Sequence, residues 1–339
     1  MADLYLKRIN HLKNSLKIAI LSYRSAPFGG GQGIYVYELS KVLKELGHQV
    51  DIISGPPYPE LMHGIELIKL PGLNLFSTFK FRDRLDLFLN KKNKSFDDWY
   101  EFGSTLLGGF PELQTFGNRA HSYLLDKTYD VVIDNQSISY GAVKIQDSFP
   151  LVEIMHHPIS KDYYYDLKFA KGILQSISKI RWYSFLKMQK SAAKKINVVV
   201  TPSMNSKEDI HIDFQVPMEN IQVIPNGIDC DIFCPLPQIL SKKNRLITTA
   251  SADVPLKGLD FSLEAIARLK PEYPDIHLII IGSPRKEGHT ERLLKKLELE
   301  NHVSFRTNLT KEEITQEYAQ SEAAIVSSLY EGFGFPVGE

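Results

Sequence analysis

Residues 17–54 read KIAILSYRSAPFGGGQGIYVYELSKVLKELGHQVDIIS, and the fold turns on them. Lys17 to Tyr23 is a short apolar run without polar alternation, the pattern of a strand covered on both faces. Val36, Leu39, Val42, Leu43 and Leu46 then fall on one face at helical spacing. A helix is therefore expected from about Gly33, with Gly47 as its C-terminal cap. Gln49 to Ser54 repeats the character of the first run. Strand, glycine loop, helix and strand make a βαβ unit, which predicts a parallel sheet.

The same texture continues outward. Runs rich in Val and Ile recur at Ile65 to Leu70, Asp130 to Asn135, Leu151 to Met155, Asn197 to Thr201 and Ile221 to Pro225. Phe76 to Lys127 is aromatic, lacks a strand pattern, and reads as a helical excursion from the sheet. Cys234-Pro235-Leu236-Pro237 and Ser241-Lys242-Lys243-Asn244 have the composition of a linker. A second series follows, with strands expected at Arg245 to Ser251, His277 to Ser283, Val303 to Asn308 and Ala323 to Leu329. Helices are expected between them at Leu259 to Leu269 and Glu291 to Leu297. The layout is a leader over 1–15, a Rossmann-like domain over 16–233, a linker over 234–243 and a smaller Rossmann-like domain over 244–339.

The chain carries 40 Lys and Arg against 40 Asp and Glu. A net charge of zero argues against bulk nucleic-acid binding. Cys230 and Cys234 have no histidine at zinc spacing and read as reduced thiols. No apolar stretch approaches the length that spans a bilayer, so a cytoplasmic protein is expected. Lys161 to Lys195 stands apart, because its nine Lys and Arg outnumber two acids, Asp162 and Asp166. Tyr163, Tyr164, Tyr165, Trp182, Tyr183 and Phe185 are interleaved. Two readings fit: a solvated helix packing its aromatics on the core, or a surface lying peripherally on the inner membrane face.

Four further stretches carry candidate chemistry. Phe28-Gly29-Gly30-Gly31-Gln32-Gly33 joins the first strand to the first helix. Glycines there let the backbone approach an anion, and a helix start offers N–H donors. It is not a nicotinamide fingerprint, since Val36 stands at the third glycine position and Ser54-Gly55-Pro56 replaces the ribose acid. His156-His157-Pro158 lies at the carboxyl end of a strand, where open α/β sheets bind ligands; the alternative is a histidine that merely caps the strand. Pro255-Leu256-Lys257-Gly258 sets a lysine before a helix, as a point charge for a diphosphate or as an ordinary solvated lysine. Glu331-Gly332-Phe333-Gly334-Phe335-Pro336-Val337-Gly338-Glu339 brackets a glycine turn with two carboxylates able to accept from sugar hydroxyls. Neither histidine has a metal-ligand partner at useful spacing, so no metal site is expected.

From about Lys17 to Glu339 these motifs, in this order, resemble glycosyltransferase family 4, the retaining GT-B enzymes that use nucleotide sugars. The turn Ile224-Pro225-Asn226-Gly227-Ile228-Asp229 belongs to the same pattern. Ser328-Leu329-Tyr330-Glu331-Gly332-Phe333-Gly334-Phe335-Pro336 with Glu339 is its most specific part. The resemblance implies an α/β GT-B fold, two Rossmann-like domains with parallel sheets facing across a cleft. It implies transfer of a hexosyl group from a nucleoside-diphosphate sugar to an acceptor hydroxyl, with retention, in glycan or glycolipid biosynthesis. No metal and no cofactor are implied, the nucleotide sugar being a substrate. The partners implied are that donor and a glycan, lipid or small-molecule acceptor. By resemblance Glu331 contacts the donor sugar and Glu339 the ribose hydroxyls. Lys257 and the N–H groups of Gly334 and Phe335 face the diphosphate, and His156 stands near the reacting sugar. Gly30 and Gly31 match the loop over the donor phosphates and acceptor.

One departure bears on the donor site. Ala252 stands where the family commonly has an arginine, so a bidentate diphosphate clamp is missing, and Arg285 is the candidate replacement. Two other readings follow. One is a nucleotide-sugar-binding protein of weak catalysis, suggested by Ala252. The other is a nicotinamide-dependent oxidoreductase, disfavoured by the absent glycine and acid. The second domain is short beside the first, so the chain is expected to be C-terminally truncated, with that domain incomplete.

Overall fold

The computed structural model describes residues 15–26, 31–78, 80–250 and 252–339. Gly30 lies outside the described residues. The chain divides into two compact units. One runs to Ser160 and resumes over Gly172–Ile224; the other combines Lys161–Lys171 with Pro225–Glu339.

The first unit is built on a seven-stranded sheet. Its strands are β1 (Lys17–Ser22), β2 (Gln49–Ser54), β3 (Glu66–Lys69), β4 (Val131–Asn135), β5 (Leu151–Ile154), β6 (Val199–Thr201) and β7 (Ile221–Val223), in the order β3-β2-β1-β4-β5-β6-β7. Every pairing is parallel. The non-alternating apolar runs are thus explained: Ile18, Ile20, Val50 and Ile52 are buried, with Val36 of the first helix packed on them. The order reverses between β1 and β4. Chains leaving those two strands diverge and open a crevice at their carboxyl ends, the place where such sheets bind ligands.

The first helix, Gly31–Glu45, buries Gly33, Val36 and Ser40, with Leu39 and Leu43 partly covered. Val42 and Leu46, expected on the same face, are exposed. At 100° per residue they stand well off the line from Val36 through Ser40 to Leu43. The excursion between β3 and β4 is helical, as expected, with helices Phe81–Asn90, Phe96–Leu106 and Glu112–Leu124.

The second unit has a four-stranded parallel sheet of β8 (Lys242–Thr249), β9 (His277–Ile281), β10 (Val303–Arg306) and β11 (Ser321–Ala324), ordered β10-β9-β8-β11. Leu278 and Ile280 of β9 meet Leu263 and Ile266 of helix Leu259–Leu269 in its core. Here too the order reverses, now between β8 and β11. The last strand is shorter than its apolar run suggests. Ile325 still donates to the Ile247 carbonyl, but by Leu329 the chain has left the ladder and donates to Leu256 O at 2.8 Å. Lys161–Lys171 falls with this unit because the Tyr165 hydroxyl donates to Leu329 O at 3.3 Å and the Lys161 ammonium lies over the Tyr330 ring.

Candidate active site

In the second unit the loop leaving β8 and the segment leaving β11 are fastened together at the point of reversal. Ser327 Oγ donates to Gly258 O at 2.9 Å, and Ser262 Oγ donates to Ser327 Oγ at 2.8 Å. Gly258 has φ of 62°, and a Cβ there would lie 2.0 Å from Ser327 O. Both the backbone conformation and the close approach therefore demand glycine. This fastening brings together two residues 74 positions apart: Lys257 Nζ stands 2.8 Å from Glu331 Oε1. Their side chains are 30% and 23% exposed, so the pair is open to a ligand and its mutual attraction is screened by water.

Gly334 has φ of 89° and leads into the short turn of helix Phe335–Gly338. The N–H groups of Gly334 and Phe335 have no backbone acceptor among the described residues. Glu339 is turned toward the Tyr318 hydroxyl, which also lies 2.9 Å from Thr249 Oγ1. Burial pushes the Glu339 carboxyl above its ordinary range, against the pull of Tyr318.

Ala252 is buried in the core beneath this loop. Its neighbour Asp253 does the visible work, accepting from the N–H of Arg285 and of Thr290, each at 2.8 Å. Burial opposes ionisation of Asp253. The N–H bonds from Arg285, Thr290 and His289 outweigh it and hold the carboxyl below its ordinary range. Asp253 thereby ties the loop after β9 to the loop after β8, and Arg285 is carried there with an exposed side chain.

In the first unit, His156 follows β5 and its ring reaches across to β4. Nε2 lies 2.8 Å from Asn135 Oδ1, the edge of Tyr35 packs at 4.4 Å between centroids, and the His156 N–H donates to Gln136 Oε1 at 3.1 Å. Burial, aided by His157, pushes the His156 pKa down to about 4. The ring is therefore neutral near pH 7, and an amide oxygen opposite Nε2 fixes the proton there, leaving Nδ1 as an acceptor. Asn135 is fully buried, and its Nδ2 has no partner. Asn135, Gln136 and Tyr35 were not singled out from the sequence. The readable signal is a polar pair ending an apolar strand at the reversal.

One residue below this row, Asp134 and Glu153 face each other at paired positions of β4 and β5, both fully buried. Burial raises Asp134 to about 6, although Ser137 donates to both its oxygens. Burial and then the Asp134 charge hold Glu153 well above its ordinary range. At the start of the first helix, a Cβ on Gly33 would lie 2.2 Å from Ala26 O, whereas one on Gly31 would meet nothing within 4 Å. Packing thus explains Gly33 and leaves Gly31 in open space. No group of three or more His, Cys, Asp or Glu among the described residues is placed to hold a metal ion.

Two parallel α/β units, each with polar groups gathered where its strand order reverses, make up a GT-B fold. The model for Glycosyltransferase Family 4 matches residues 29–232 and that for Glycosyl transferases group 1 matches 237–339; the chain belongs to glycosyltransferase family 4. It is 39% identical over 328 residues to the MMP alpha-(1->4)-mannosyltransferase of Mycolicibacterium hassiacum, covering 96% of this chain and 78% of that protein. Among solved structures it is similar to sucrose-phosphate synthase from Thermosynechococcus elongatus, with a TM-score of 0.66, 20% identity and coverage of 94% and 77% of the two chains. It is also similar to WaaG, a glycosyltransferase involved in lipopolysaccharide biosynthesis, with a TM-score of 0.64, 15% identity and coverage of 94% and 77%. The protein is accordingly a glycosyltransferase, and the oxidoreductase reading falls.

Proposed function

We propose that the protein transfers a hexosyl group, mannosyl by analogy with its 39% identical relative, from a nucleoside-diphosphate sugar to a glycan hydroxyl with retention. The observation that carries this reading is the Lys257–Glu331 pair at the reversal of the second sheet. In the step, the anomeric carbon–oxygen bond to the diphosphate breaks and a bond to the acceptor oxygen forms on the same face. The acceptor proton passes to the departing phosphate oxygen, and a nucleoside diphosphate leaves.

Lys257 is the cation for the charge that develops on that phosphate, and the N–H groups of Gly334 and Phe335 add dipoles. Glu331 exchanges Lys257 for sugar hydroxyls, and Glu339 takes the ribose. Arg285 is the further cation, held at the loop by Asp253. His156, neutral and oriented by Asn135, positions a hydroxyl through Nδ1 and acts as no acid at neutral pH. Gly31, with open space around it, lets the first helix start approach the ligand. The reading invokes no metal and no cofactor.

No helix among the described residues is long and apolar enough to cross a membrane. A cytoplasmic location with a peripheral contact is part of the proposal. Helix Ile173–Trp182 leaves Ile173 79% and Leu174 85% exposed on an element that also carries Lys179 and Arg181. Co-sedimentation with phosphatidylglycerol vesicles, lost in Leu174→Asp, checks it. The transfer itself is tested by offering GDP-mannose and UDP-glucose with an α-(1→4)-mannooligosaccharide and determining the new linkage by NMR. An α-linked product is expected from an α-configured donor. A β-linked product refutes retention, and no product from either donor refutes the assignment.

A further inference from the structure

We propose that a cavity on the first unit is a distal carbohydrate subsite, binding a glycosyl unit of the acceptor remote from the reacting hydroxyl. The proposal rests on the transferase reading above. The cavity has a volume of about 280 Å³, near the roughly 300 Å³ lower end of small-ligand pockets, so it suits one sugar ring rather than a chain. It lies among helix Phe96–Leu106, the starts of helices Glu112–Leu124 and Tyr140–Gln146, and the turn Tyr183–Phe185.

Its lining has two characters at once. Tyr100, Phe110, Tyr140 and Phe185 contribute rings, while Ser104, Gln114, Ser184 and Lys187 contribute polar groups. A pyranose has the same division, with apolar C–H faces and a hydroxyl edge. An acyl chain would cover the polar groups without bonding them, which is costly. Gln114 is held on the cavity wall by its Nε2, which donates to Asn118 Oδ1 at 3.0 Å.

The position is also apt. Tyr140 directly follows Ser139, whose hydroxyl accepts the Ala142 N–H and caps the helix. The loop that ends there begins at Asn135, the partner of His156. On the far side, Gln189 of helix Leu186–Ala193 approaches the Ser137 carbonyl of the same loop at 3.5 Å. The cavity wall and the His156 end of the sheet are therefore two ends of one short loop, and an oligosaccharide presented at one can lay a further ring in the other.

The test is binding rather than turnover. α-(1→4)-Linked mannotetraose is titrated by calorimetry into the 339-residue chain without donor. The tetrasaccharide is expected to bind, about tenfold more weakly after Gln114→Ala or Tyr140→Ala, and equally well after Lys257→Ala. Tyr140 is 42% exposed, so its variant keeps the melting curve of the parent and reports the subsite alone. Affinity unchanged in both cavity variants overturns the subsite, and so does equal weakening by Lys257→Ala. Failure to bind either mannotetraose or maltotetraose overturns it as well. Failure of the transferase reading looks different: no transfer from any nucleotide sugar, with the tetrasaccharide still bound through Gln114 and Tyr140.

Discussion

Replacing Gly258 by alanine separates the fastening of the loop after β8 from the chemistry of its side chains. The added methyl would stand 2.0 Å from Ser327 O and 2.8 Å from Ser327 C, whereas even a close C–H···O contact keeps roughly 3.3 Å. One segment must move by more than about 1 Å. That overpacking costs about 1–3 kcal/mol, and holding a non-glycine residue in the left-handed region adds about 1–2 kcal/mol. Losing the Ser327–Gly258 hydrogen bond adds about 1 kcal/mol. The sum is about 3–6 kcal/mol, enough to lower the melting transition of the second unit by roughly 10 °C or more. Calorimetry on the whole chain reads this directly. Where the variant still folds at 15 °C, Lys257 and Glu331 are no longer held together, and nucleotide-sugar affinity falls with the stability. A Gly258→Ala protein that melts within a degree of the parent and binds donor equally well refutes the account.

Lys257→Ala is expected to lower kcat/KM by at least about a hundredfold with little change in melting temperature, because a part-exposed, water-screened pair contributes little to stability; steady-state kinetics beside a thermal melt checks both halves. The buried carboxylates make the first unit sensitive to alkali. Asp134 and Glu153 hold protons in the folded state that the unfolded chain releases from its ordinary 3.8 and 4.5, so stability is full below those values and falls as pH rises through the folded ones. For Asp134, raised to about 6, the loss is about 3 kcal/mol between pH 4 and 6. Glu153→Gln mimics the protonated form and flattens the alkaline part of this fall, seen in urea unfolding at pH 5 and 8.5; identical pH dependence in parent and variant counts against it. His156, depressed to about 4, contributes no step near pH 6.5 to the pH profile of kcat, and a step there that vanishes in His156→Gln shows the ring to be exposed and titrating.

Most of the sheet architecture was legible because strands buried on both faces leave unbroken runs of Val, Ile and Leu. Legibility ended where tertiary bonding overrides local pattern. The apolar run from Ala323 to Leu329 continues, but its backbone leaves the ladder after Ile325 to bond Leu256, and no local property of Val326 or Leu329 announces that. Val42 and Leu46 widen the apolar stripe beyond the line of Val36, Ser40 and Leu43, and how much of that width is covered depends on where β1 and β2 pack. Among the candidate site residues, Lys257 and Glu331 of the second unit and His156 of the first could be picked out singly. Their surroundings could not. Asn135 and Gln136 resemble ordinary turn residues until β4 and β5 are laid side by side, and Asp253 resembles a loop acid until the Arg285 and Thr290 N–H groups close on it.

The lending of Lys161–Lys171 to the second unit governs how this protein can be cut. The boundary between units is crossed by the chain not once but three times, at Ser160, at Lys171 and at Ile224. A fragment beginning at Pro225 would lack the segment whose Tyr165 hydroxyl engages Leu329. A fragment ending at Ile224 would carry that segment with nothing to dock on. Dissection by a single cleavage yields two damaged halves. Recombinant halves that stay sound must instead exchange residues 161–171, spliced out of one gene and fused ahead of the other.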